Sequence, residues 1–163
     1  MRHPLLSLSG LVLFLMAGSS LLTAQRFSTR GTDFWFSFPQ TATSASTPEL
    51  TVFLSGDAGI TGTVAVPGIG FSQNFTLNGA GTAEVMLPQN AMHVQQGKRS
   101  RGVHITADDT LRAFASNFQQ FATDASLILP TQTLEADYRI LTYNENTSGG
   151  NPTGCEFVIT AVE

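Results

Sequence analysis

Cysteine is nearly absent: Cys155 is the single one in 163 residues, so no disulfide can close within this chain. That cysteine is either a small buried hydrophobe or the partner of a thiol lying beyond residue 163. Charge is also scarce, at 12% Asp, Glu, Lys and Arg, and it is unbalanced, with 8 Lys+Arg against 12 Asp+Glu for a net −4. A chain short of basic residues lacks the electrostatic footprint that nucleic acid demands, so no nucleic-acid partner is expected. Catalytic signatures are missing as well. There is no G-x-S-x-G elbow, no H-E-x-x-H and no paired-cysteine metal motif, and "GIGFSQ" and "NGAGTA" lack the third glycine and following helix of a dinucleotide loop. Asp57, Asp108 and Asp109 have no D-x-D-x-D spacing for calcium and read as turn formers. The expectation is a protein that is not an enzyme and carries no cofactor and no metal.

What is present starts with a leader. "MRHPLLSLSGLVLFLMAGSSLLTAQ" has a basic start, an apolar run over Leu11–Ala17 and small residues before Gln25, the layout of a secretory signal peptide spanning 1–24 and cut after Ala24. The run is short for a bilayer span and interrupted by Gly10 and Gly18, and nothing downstream is apolar enough to cross, so the mature chain should hold no membrane span. Residues 25–163 suffice for one compact domain that buries roughly two-thirds of its unfolded surface. Secreted or cell-surface residence is the natural reading, and scarce cysteine in an exported chain points to a bacterial source.

Alternation with period two dominates the mature chain, and no window holds a helical period. Strands are predicted at Thr32–Phe38, Leu50–Ser55, Thr61–Val66, Phe71–Leu77, Ala83–Leu87, Gly102–Thr106, Leu111–Asn117, Ala125–Leu129, Tyr138–Tyr143 and Cys155–Val162. Gly56-Asp57, Pro67-Gly68, Asn78-Gly79 and Asp108-Asp109 supply turn chemistry between them, Asn78-Gly79 most strongly. The fold class is all-β: an antiparallel, sandwich-like meander of about ten short strands. A weak echo among "ELTVFLSGD", "GVHITADD" and "CEFVITAVE", spaced about fifty residues apart, leaves an incomplete propeller-like array as the alternative. The last echo stops mid-pattern at Glu163, which suggests that the domain continues past this sequence.

The densest feature is "GTDFWFSFPQ". In a strand, Phe34, Phe36 and Phe38 share one face and Asp33, Trp35 and Ser37 the other. The phenylalanines belong to a core, and Trp35 is either packed under a second layer, the expected outcome, or offered to a ligand. "QQGKRSRG" gathers Lys98, Arg99 and Arg101, which read as a solvated loop or as contacts for an anionic ligand. His104, between Val103 and Ile105, fits a partly exposed strand position.

These segments, taken in order, resemble the IgGFc-binding protein N-terminal domain family. "GTDFWFSFPQ", "ELTVFLSGDAGITGTVAVPG", "RGVHITADDTLRAFASNFQQFATDASLILPTQTLEADYRILTYNE" and "EFVITAVE" carry the likeness from Gly31 to Glu163. The resemblance implies an extracellular binding or adhesion module, and it brings no catalytic or ligand-contact residues with it. The leading expectation is therefore a noncatalytic module whose partner is a glycoprotein, mucin or polysaccharide outside the cell. The weak candidates for contact are Trp35, Lys98, Arg99 and Arg101. Two alternatives stand beside it: an assembly domain that packs on neighbouring domains of the same protein, and a hydrolase that joins His104, Asp108 or Asp109 to residues from beyond Glu163.

Overall fold

Strand β8 (Val103–Phe118), 16 residues long, is the axis on which the other strands are arranged in the computed structural model of the chain. The structure describes residues 28–40, 47–94, 96–120, 123–135, 137–141 and 157–162, and the segment 1–24 predicted to be a signal peptide, the segment 41–46 and Cys155 lie outside them. The other strands are β1 (Gly31–Phe36), β2 (Phe38–Pro39), β3 (Glu49–Ser55), β4 (Thr61–Val66), β5 (Phe71–Thr76), β6 (Thr82–Leu87), β7 (Met92–His93) and β9 (Asp124–Ile128). Helix among the described residues is limited to short 3-10 turns, such as Pro67–Ile69. The architecture is all-β, as the alternation predicts.

Seven strands form one antiparallel sheet in the order β5-β4-β8-β3-β6, with β1 and β9 also on β8, while β2 and β7 make a separate parallel pair. The two halves of β8 have different partners. Its first half pairs with β1 and β4, its second half with β3 and β9. The path ends, β5 and β6, are joined by the 77–81 reversal, so the sheet nearly closes on itself. Burial explains how one strand serves both halves. Val103, Ile105, Leu111, Ala113 and Ala115 all point inward, and the solvated stretch Thr106–Thr110 between them turns the corner without breaking the parity.

The interior joins this ridge to Phe34, Phe36 and Phe38 of the first segment and to Leu50, Val52, Leu54, Val64, Val66 and Val85. Phe36 and Phe38 meet edge to face, centroids 5.2 Å apart. Each buried ring contributes about 1.5–3 kcal/mol in transfer free energy, so the aromatic run anchors β1 in the core.

Several expectations need correction. Asp108-Asp109 does not reverse the chain, and the two strands predicted around it are one strand. The Asp108 carboxylate accepts from the Thr61 amide (2.9 Å) and hydroxyl (2.7 Å) at the start of β4, so it ties a corner instead of capping a turn of its own. Asn78 does organise the β5–β6 reversal: its Oδ1 accepts from the amides of Ala80 (2.9 Å) and Thr82 (3.2 Å). The left-handed residue, however, is Gly81, at φ 73°, rather than Gly79, because the loop is wider than a two-residue turn. Residues 138–141 and 157–162 form no strand. Alternation makes a two-faced ribbon, but a strand also needs an edge to bond, and no described strand pairs with either segment. The described part of the third echo, residues 157–162, thus has no equivalent to β3 or β8, and a sheet arranged around β8 replaces the propeller-like alternative.

Candidate ligand-binding cleft

On the outward face of β1, Trp35 lies directly opposite His104 of β8, and Asp33 lies one step along the same face. The indole and imidazole stack with centroids 4.1 Å apart and planes 12° from parallel. His104 Nε2 is 2.7 Å from Asp33 Oδ2. A carboxylate can only accept, so Nε2–H donates and the imidazole is held on two sides, by the hydrogen bond and by the ring beneath it. The pair is part-buried, with His104 27% and Asp33 39% exposed, so it is shielded from water without being desolvated.

Trp35 is half-buried, which departs from the expected second-layer burial. His104 supplies the stacking partner that a second layer would have provided, and the indole borders an open cleft of about 1050 Å³. Ser37 and Gln40 line one side, the 3-10 turn at Pro67–Ile69 and the segment 96–100 another, and residues 157–161 a third. Gly68 faces the Ser100 backbone so closely that a Cβ has no room there, which lets the segment bearing Lys98 and Arg99 press against the turn. His93 Nε2 lies 3.0 Å from the Gly97 carbonyl and closes that loop locally, while Ser37 and Thr160 hydroxyls meet at 2.9 Å across the cleft.

The structure thus brings Trp35, Lys98 and Arg99 to one cleft. Arg101, half-buried, is outside its lining. Among the described residues that line it there is no Asp or Glu. Sequence reading missed Asp33 as the partner of His104, and Ser37, Gln40 and Thr160 as wall residues. Alternation already placed Asp33, Trp35 and Ser37 on one face, but the register that sets them against His104 is not written in β1 alone.

Two residues named for the hydrolase alternative have separate partners within the chain. His104 is engaged by Asp33, whereas Asp108 is bound to Thr61 at the exposed corner. Those hydrogen bonds, first from the Thr61 hydroxyl and then from its amide, hold the Asp108 carboxyl below its ordinary range. Among the described residues no three His, Cys, Asp or Glu side chains come together as a metal site, and no helix is long and apolar enough to cross a membrane. No protein-family model, curated protein or solved structure matches the chain. Its function has to be argued from the chemistry of the cleft.

Proposed function

We propose that this chain is a noncatalytic binding or adhesion module, exported by its leader to the cell surface or beyond, of the kind found in the IgGFc-binding protein N-terminal domain family. Its ligand is a glycoprotein, mucin or polysaccharide. The observation that supports this reading is the cleft, in which an indole already fixed by His104 stands beside two cations and a row of amides and hydroxyls. An aromatic surface suits the C–H faces of sugar rings or apolar peptide, and short polar groups suit hydroxyls and amides. Because Trp35 is held before any ligand arrives, less ordering entropy is lost on binding. The order of motifs from Gly31 onward favours the same class.

The test is an array of glycans and glycoproteins probed with the full chain and with Trp35→Ala. Saturable binding that the variant loses by tenfold or more, about 1.4 kcal/mol, is the expected outcome. A folded chain that binds nothing on such an array would sink the reading.

A second reading, an assembly domain, is favoured by an apolar row on the opposite part of the sheet. Phe53 of β3 is registered with Phe114 of β8, and Phe114 with Leu127 of β9, and these side chains are 42%, 38% and 41% exposed. A row of that kind suits packing against a neighbouring domain of the same protein.

A further inference from the structure

We infer that the cleft selects acidic saccharides, those bearing carboxylate or sulfate groups, over neutral ones, an inference that rests on the binding-module reading above. The chain has only 8 Lys+Arg and a net charge of −4, yet the described lining holds Lys98 and Arg99 and no acid. Charge in the cleft therefore runs against the charge of the molecule. Asp33, which shares the outward face of β1 with the indole, has an oxygen bonded to His104 at 2.7 Å, so its charge is matched by a donor on the sheet.

Position matters as much as sign. The close approach of Gly68 to Ser100 and the His93–Gly97 contact fix the segment that carries both cations, so they stand over the cleft. An anionic group seated there meets the Lys98 ammonium while its ring lies near Trp35, and Gln40 and Ser37 offer amide and hydroxyl partners for sugar hydroxyls. Neutral saccharides would use the ring and the amides alone. The acidic surface elsewhere disfavours polyanions that need a long basic track, such as nucleic acid. A short acidic oligosaccharide needs only the cleft.

The chain has one tryptophan, so its fluorescence reports on this cleft alone. The full chain would be titrated with a sulfated heparin-derived hexasaccharide, an oligogalacturonate, neutral cellohexaose and poly-glutamate, in parallel with Lys98→Ala and Lys98→Glu. At least one acidic saccharide should shift Trp35 emission and bind at least about tenfold tighter than cellohexaose, with affinity falling as salt rises from roughly 0.05 to 0.5 M. Lys98→Ala should weaken it about tenfold and Lys98→Glu further, both variants keeping the parent circular dichroism. The sulfated and carboxylated arms identify which anion is preferred. Equal affinity for cellohexaose, or indifference to both Lys98 variants, overturns the selectivity and leaves the binding-module reading standing. Poly-glutamate binding as tightly as the saccharides overturns the sugar specificity. No response to any acidic saccharide also overturns the inference, and only an empty array overturns the module itself.

Discussion

The two halves of β8 present opposite kinds of outer face. Near its start, His104 carries a polar arrangement in which each group has a partner: Asp33 bonds the imidazole and Trp35 stacks on it. Near its end, Phe114 sits in an apolar row with Phe53 and Leu127 that nothing among the described residues covers. The inner faces are alike, since Val103, Ile105, Leu111 and Ala113 are all fully buried. The strand therefore separates its tasks by face. Inward parity fixes stability uniformly, and outward identity sets what each end can touch.

The comparison is broken most severely at the corner. Leu111→Ala removes a fully buried side chain where the halves join and should cost about 2–5 kcal/mol. Urea unfolding followed by Trp35 fluorescence, which sees only the first half, and by far-UV circular dichroism, which sees both, should shift together. A transition seen by Trp35 that stays unmoved would mean that the halves fold independently.

A smaller effect is expected on the apolar row. Replacing Phe53 and Phe114 by serine removes exposed rings, so stability should fall by roughly 1 kcal/mol or less and Trp35 emission should not move. If the row is a docking face, sedimentation with flanking domains present should show association lost in this variant. Undiminished association would remove the assembly reading.

The smallest effect concerns acid. Asp108 has its carboxyl held below the ordinary range by Thr61, so its contribution is present at and above the usual aspartate titration and is lost as pH falls below that range. Asp108→Asn should flatten the acid-side slope of stability slightly and leave neutral-pH binding unchanged. An acid limb identical in the two proteins would show that the Thr61 contact does not couple to folding.

Much of this was legible in the sequence, and the reasons differ by residue. Alternation located β1 and β3 through β6 to within a residue or two, without separating β2 from β1, and sorted Phe34, Phe36 and Phe38 into the core, because a half-buried strand advertises its inner face. The corner misled because Asp-Asp has turn chemistry in isolation, and only the arrival of Thr61 converts Asp108 into a tie between strands. The segment 157–162 misled in the other direction, since its pattern is that of a strand while strandedness requires an edge. In the cleft, Trp35, Lys98 and Arg99 stood out by residue type. Their meeting depends on register and on the Gly68–Ser100 approach, which are properties of pairs of segments distant in sequence.

The late place of β8 in the chain has a consequence for the order of events during synthesis. Hairpin β4–β5 can close from local sequence and β3–β6 can close around it, but β1 has no edge to join until its partner exists, and Asp33 and His104 are 71 residues apart. Until then a nascent chain displays an unpaired strand with Phe34 and Phe36 on one side, the kind of segment that holdase chaperones grip and that aggregates when left alone. Long-range closure of this sort is slow. The cleft is among the last features to exist, because Gly102 and residues 157–161 of its lining, and the His104 ring under Trp35, all lie beyond the first hundred residues.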